Sequence, residues 1–282
     1  KCDELILGKK DADSRALTID VIKERDMFDS IGFIGAGRVT RIMLGGWQHK
    51  GVDLPSVYVF DQSPEAINSL KEFFPQVQSV SLSEVASKAL VFIALHPAVI
   101  DEILTEIHSY LGKHTVLCSL APKLRLSMLQ KKLHGFDNLS RMNPNAASII
   151  GRGYNPIAFA AGLPQDRLST LIELVSPLGN TPVVDDNMIE SYAVISAMGP
   201  TYFWFQFDAL RQQAESFGMT EEEAREAVAT MLHGAVDTLF ASGISASKVM
   251  DLVPVRPMAD DESTIIEMQR KRLNAIHTRL HS

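Results

Sequence analysis

Between residues 30 and 160, short apolar runs alternate with amphipathic ones, and after about residue 185 the short runs stop. The apolar runs at 31–34, 56–60, 77–80, 90–95, 115–119, 139–142 and 155–160 have the length and composition of strands. Between most of them, near 38–49, 64–73, 83–88, 98–111 and 124–134, apolar residues recur at helical spacing. Such alternation predicts a mainly parallel sheet with helices on both faces. Leu90-Val-Phe-Ile-Ala-Leu95 is apolar throughout, as a central parallel strand covered on both faces must be.

The second half reads differently. Met188 to Phe217 and Glu221 to Phe240 are long helical stretches. Pro200, after Gly199, suits the first position of a new helix, where its missing N–H costs nothing. Gly218 is a C-terminal stop, and Thr220-Glu-Glu-Glu223 reads as a capping box opening the next helix. Tyr202-Phe-Trp-Phe-Gln-Phe207 is apolar nearly all round, which predicts burial on most sides and, in a small helical domain, a partner subunit. A domain boundary falls near Pro182–Asn187. The expected organisation is a charge-rich extension over 1–29, a nucleotide-binding α/β domain over 30–184, and an all-α dimerisation and substrate domain over 185–282.

One joint carries most of the chemistry. The strand Ile31–Ile34 runs into Gly35-Ala36-Gly37, and the helical run from Val39 follows at once. Glycines there allow a tight turn and let a pyrophosphate approach the backbone, while the helix start supplies N–H groups and the positive end of a dipole. The third fingerprint position is Thr40 rather than Gly or Ala. The next strand, Ser56-Val-Tyr-Val-Phe60, ends at Asp61. A carboxylate there accepts from both hydroxyls of an adenosine ribose and repels a 2′-phosphate. No Arg or Lys lies between Asp61 and Glu65, so NAD is favoured over NADP. The other reading of Asp61 is a solvated turn residue before Ser63-Pro64. The joint predicts a Rossmann-type doubly wound sheet.

Composition narrows the field. Of 282 residues, 46% are apolar, enough for a sizeable core. The net charge is −7 with no basic block, which argues against nucleic acid. Cys2 and Cys118 are the only cysteines, so a disulfide framework and a Cys-rich metal cluster are excluded and a reducing compartment fits. The eight His show no ligand spacing, so no metal is expected. The longest apolar runs are too short to span a bilayer and no signal-peptide pattern opens the chain, which leaves the cytoplasm as the expected compartment.

Several segments, in order from residue 31 to about 251, together resemble the pyrroline-5-carboxylate reductase family. Gly32-Phe-Ile-Gly-Ala-Gly37 is similar to its cofactor turn, and Ala94-Leu-His-Pro97 stands where the family has Ala-Val-Lys-Pro. Ser119-Leu-Ala121 stands at its next cofactor-facing strand end. Arg141-Met-Asn-Pro-Asn145 resembles its Arg-x-Met-x-Asn segment, and Gly153 falls at its following glycine. Ile189 to Tyr202 resembles its Asp-Ala-Val-Thr-x-x-Ser-Gly-Ser-Gly-Pro-Ala-Tyr signature. The resemblance implies a Rossmann domain, a helical dimerisation domain and hydride transfer from a nicotinamide to a cyclic imine, the chemistry of proline biosynthesis. It departs at the substrate loop, roughly Ser-Pro-Gly-Gly-Thr in the family. Here the glycines become Pro257 and Met258, and the Thr position falls on Asp260. His96 replaces a Lys, Met198 replaces a Ser, and one terminal helix, Glu262 to Leu280, stands where the family has more.

The expected cofactor contacts are Gly35, Ala36, Gly37, Arg38 and Val39 at the turn, then Asp61, Gln62 and Ser81. Ala94, Leu95, His96, Pro97, Leu120, Ala121 and Asn145 complete the set. Asn145 is either a contact to the nicotinamide amide or the substrate, or a cap after Pro144. The expected catalytic residues are Ser196, Arg256 and Asp260. Ser196 and Thr201 bond either substrate or local backbone. Arg256 is either a carboxylate clamp or a surface Arg in a Pro-rich turn. Asp260 is either a proton donor or part of a helix N-terminal acidic cluster with Asp261 and Glu262. The leading reading is an NAD(P)-dependent imine reductase acting on a small molecule as a homodimer or higher homo-oligomer. The alternative is a non-catalytic dinucleotide-binding regulatory or partner-binding protein that has lost the substrate loop.

Overall fold

A computed structural model describes residues 28–281. All but the last two residues of the expected extension lie outside that range. Phe28 is already packed in the core at 2% exposure.

Seven strands form one sheet. β1 (Ser30–Ile34), β2 (Ser56–Phe60), β3 (Gln78–Ser79), β4 (Leu90–Ile93), β5 (Val116–Ser119), β6 (Leu139–Met142) and β8 (Ile157–Phe159) stand in the order β3-β2-β1-β4-β5-β6-β8. All neighbours run parallel except β8, which turns back antiparallel against β6. The predicted strands are all present, and the outermost one supplies the antiparallel edge. β7 (Gly153–Tyr154) and β9 (Gly179–Asn180) pair separately. The strand order reverses between β1 and β4, so the sheet has a switch point there.

Helices α1 (Arg38–His49), α2 (Pro64–Phe73), α3 (Leu82–Ala86), α4 (Pro97–Ile107) and α5 (Leu126–Lys132) fall where the spacing predicts them. A further helix, α6 (Gln165–Val175), buries Leu171, Leu174 and Val175. The strands sort their side chains onto two faces. Phe33, Phe92, Cys118 and Met142 join Trp47 and Leu174 on one, where Phe33 stacks on Phe92 at 4.9 Å and the Trp47 indole donates to Leu174 O at 2.7 Å. Val91, Ile93, Leu117 and Leu139 join Leu104 and Leu129 on the other. Every residue of β4 is buried, as its apolar run predicts.

The helical half does not begin as one long helix. A short 3-10 turn at Asp186–Met188 leads into α7 (Ile189–Tyr192), then a π-helical turn at Ala193–Ala197. The chain breaks at Gly199 and restarts as α8 (Pro200–Ser216). A Cβ on Gly199 would lie 2.2 Å from Ile195 O, so only glycine permits so close a turn. α9 (Glu221–Ala241) opens on the predicted capping box: Glu223 N–H donates to Thr220 Oγ1 and Thr220 N–H to Glu223 Oε2. α10 (Ala246–Met250) and α11 (Glu262–His281) complete the fold. Among the described residues no helix is long and apolar enough to cross a membrane.

Candidate functional site

The carboxyl ends of the parallel strands lie level. Ile34 pairs with Phe60 and Ile93, Ile93 with Ser119, and Ser119 with Arg141. The next residues extend the ladder by one step: Gly35 N–H donates to Phe60 O at 2.7 Å, Ala94 N–H to Ile34 O at 2.8 Å and Leu120 N–H to Ile93 O at 2.9 Å. The structure therefore gathers the glycine turn, Asp61, Ala94–Pro97 and Leu120–Ala121 along one edge of the sheet.

At the turn, Gly35 has φ +114°, and a Cβ on it would sit 2.5 Å from Ala94 O. A Cβ on Gly37 would meet nothing within 4 Å, so its backbone borders open space. α1 starts there without a side-chain cap and with no acidic residue in its first turn. Its first N–H groups and dipole thus face that space with nothing negative of their own, which fits a pyrophosphate. Thr40 is wholly buried and its hydroxyl donates to Gly35 O at 2.6 Å, so the departure at the third fingerprint position ties the turn to its helix. Arg38 is exposed at the helix start, whereas Val39 packs its side chain against the core. Asp61 accepts from Ala36 N–H at 2.7 Å and from Ser63 N–H at 2.8 Å. These bonds hold the carboxylate at the turn and leave lone pairs on both oxygens. Arg41, the next cation of α1, stacks over Phe73 with its guanidinium carbon 3.6 Å from the ring centroid. Gln62 is exposed beside Asp61, and Ser81 caps α3 by accepting from Glu84 N–H at 3.2 Å.

Asn145 follows β6 at the far end of the same edge. Its Oδ1 accepts from Ala147 N–H at 3.1 Å, and its Nδ2 donates to Ser196 O at 3.2 Å. The cap that is the other reading of Asn145 is thus present, and the same side chain joins the sheet to the π-helical turn. Around the break, three carbonyls take side-chain donors. Ser196 O takes Asn145, Val194 O takes the Tyr202 hydroxyl at 2.5 Å, and Met198 O takes the Thr201 hydroxyl at 2.6 Å. Ser196 Oγ donates back to Tyr192 O at 2.8 Å.

The segment is seated by an ionic network that sequence reading left out. Arg141, fully buried on β6, meets Asp186 Oδ1 and Glu190 Oε1, each at 2.5 Å. Glu190 Oε1 also accepts from Lys123 N–H at 3.2 Å, and Asp186 Oδ2 from Leu126 N–H at 3.0 Å. The signal was an Arg inside the strand Leu139-Ser-Arg-Met142. Charges buried this deeply need partners, and here both come from the start of the helical half.

Residues 253–260 stand apart. Arg256 is exposed and pairs with Glu262, while Asp260 lies exposed in the turn before α11. Among the described residues, neither is hydrogen-bonded or ion-paired to the glycine turn or to Asp61 within the chain. Arg256 instead borders a cavity of about 340 Å³ with Gln206, Met258, Ile265 and Ile266. Among the described residues no group of three or more His, Cys, Asp or Glu is placed to hold a metal.

Comparison with known proteins matches both halves. Residues 30–123 match the family model described as NADP oxidoreductase coenzyme F420-dependent, and residues 186–257 match pyrroline-5-carboxylate reductase dimerisation. The pyrroline-5-carboxylate reductase of Escherichia coli is 26% identical over 229 residues, covering 80% of this chain and 85% of that protein. The pyrroline carboxylate reductase of Plasmodium falciparum, solved with NADP bound, superposes with a TM-score of 0.77 at 16% identity, over 91% of this chain and 97% of that one. The pyrroline-5-carboxylate reductase of Coxiella burnetii gives 0.69 at 22% identity, over 91% and 98%.

Proposed function

The chain belongs to the pyrroline-5-carboxylate reductase family of NAD(P)-dependent oxidoreductases, and from that premise we propose that it reduces the C=N bond of a small cyclic imine with NADH. The supporting observation is the carboxyl edge of the sheet at its switch point, with its glycine turn at one end and the Asn145–Ser196 junction at the other. Gly37 and the uncapped start of α1 hold the pyrophosphate, with Arg38 beside it. Asp61 binds the adenosine ribose hydroxyls, and with Arg41 engaged on Phe73 the pocket offers little to a 2′-phosphate. The other half of the dinucleotide then extends over β4 and β5, where Ala94, Leu95, Leu120 and Ala121 exclude water and His96 forms the rim. The nicotinamide supplies the hydride. The protein's share is to seat the acceptor beside Asn145 and to supply a proton. We place this chemistry in the cytoplasm, in a homodimer.

A second reading has its own observation: Arg256, the expected carboxylate clamp, is paired with Glu262 in the single chain. It is dinucleotide binding without turnover. NADH fluorescence titration, alongside NADH oxidation with pyrroline-5-carboxylate and related cyclic imines, separates the two. Turnover on any of them supports reduction; binding with no turnover across the panel supports the second reading; no binding of either dinucleotide defeats both.

A further inference from the structure

We propose that Tyr192, supported by Tyr154, is the acid that protonates the imine nitrogen. The inference rests on the imine-reductase reading above. The two rings lie 5.9 Å apart at an angle of 32°, one on β7 and the other on α7. They bracket the junction between the halves. Tyr154 precedes Asn155, whose Oδ1 accepts from Asn145 N–H at 3.2 Å; Tyr192 is one turn before Ser196, whose carbonyl takes the Asn145 amide. Both phenols are half-buried, so neither is sealed in the core.

Elimination sharpens the assignment. With pyrophosphate at Gly37 and the adenosine ribose at Asp61 on the β2 side, the nicotinamide half extends toward β5 and β6. The hydroxyls of the helical segment beside it are mostly committed. Ser196 donates to Tyr192 O, Thr201 to Met198 O, Tyr202 to Val194 O, and Ser191 lies 3.0 Å from His277 Nε2. Tyr192 stands where the family signature quoted above has Val, and Ala193 where it has Thr. The loop position of the family Thr is Asp260, a carboxylate where the family has a hydroxyl. Burial first, then the neighbouring Tyr192 and a hydrogen bond to it, push the Tyr154 phenol above its ordinary range. In this assignment Tyr154 keeps its proton and donates to Tyr192 Oη, which stabilises the oxyanion that forms when Tyr192 acts as acid.

The step balances. As the imine carbon takes a hydride from the reduced nicotinamide, a C–H bond forms and the C=N π pair moves to nitrogen. The Tyr192 O–H bond breaks as the N–H bond forms. The dinucleotide is oxidised, the imine is reduced to the amine, and the phenolate regains a proton from water.

The test is Tyr192→Phe and Tyr154→Phe, each assayed for kcat with NADH and a cyclic imine, for NADH Kd by fluorescence, and for tyrosinate absorbance against pH. Tyr192→Phe should lower kcat by about 100-fold or more, the ordinary contribution of a positioned acid. The Kd and the melting temperature should hold, and the high-titrating Tyr154 phenol should move down. Wild-type kcat in Tyr192→Phe overturns the assignment. A fall in kcat accompanied by weaker NADH binding and a lower melting temperature also overturns it, in favour of a packing role. Failure of the reading beneath it shows separately, in the wild type, as NADH binding without reduction of any imine, and removes the proposal with it.

Discussion

Gly35 is the residue least open to change. With φ +114° and Ala94 O 2.5 Å from where a Cβ would stand, Gly35→Ala strains the backbone and pushes β1 from β4. We expect a loss of about 2–4 kcal/mol in urea unfolding and abolished NADH binding. Thr40→Val keeps the shape but strands Gly35 O, and should cost about 1 kcal/mol. Asp61→Ser removes the charge proposed to repel a 2′-phosphate. The ratio of NADH to NADPH affinity should fall toward unity in the variant, and a wild type preferring NADPH would refute the ribose argument. Cys118 is fully buried and its thiol is pushed up to about 12, chiefly by desolvation, so it should resist alkylation in the native protein and react only after unfolding.

At the scale of elements, legibility followed the range of the signal. The strands and the glycine turn were readable because apolar runs, glycines and an acidic strand end are local. α6 was missed, though its apolar positions at 168, 171, 174 and 175 carry a helical face, because it lies between an edge strand and the domain boundary, outside the strand–helix alternation. The π-helical turn was unreadable, since widening one turn changes no residue type; it shows only in the bond from Met198 N–H to Ala193 O, five residues back. Nor could spacing reveal that Arg141 meets Asp186 and Glu190, or that Asn145 reaches Ser196, because folding alone brings them together. The Arg141 network yields a test at this scale. Glu190→Ala leaves a buried guanidinium with half its compensation and should destabilise by about 3–5 kcal/mol. Arg141→Met with Glu190→Leu removes both buried charges, while Asp186 keeps Leu126 N–H and some access to water. The double variant should therefore be more stable than Glu190→Ala in thermal melts; equal or lower stability would show that the network does more than neutralise itself.

The whole molecule displays an unsatisfied surface. The run predicted to be buried on most sides is instead open in the single chain: Trp204 is 51% exposed, Phe205 68% and Phe240 80%, with Phe203, Leu210, Met231 and Val236 also exposed. A continuous apolar face of this kind on two long helices marks an interface, and the match of residues 186–257 to a dimerisation model identifies the occupant as a second copy. The same assembly bears on the site. Within one chain Arg256 is paired with Glu262 rather than with the glycine turn or Asp61, so a site that needs residues 253–260 must receive them through the partner or through the geometry the partner imposes. Trp204→Glu with Phe205→Glu places two carboxylates in the centre of the apolar face, where a second copy cannot solvate them. Sedimentation should show the wild type as a dimer or larger and the variant as a monomer. Because the turn, Asp61 and α1 lie in the other half of the chain, the monomer should still bind NADH with near wild-type affinity while losing imine reduction. A monomer that reduces imines at the wild-type rate would show that one chain builds the whole site, and a wild type already monomeric would require another partner for the face.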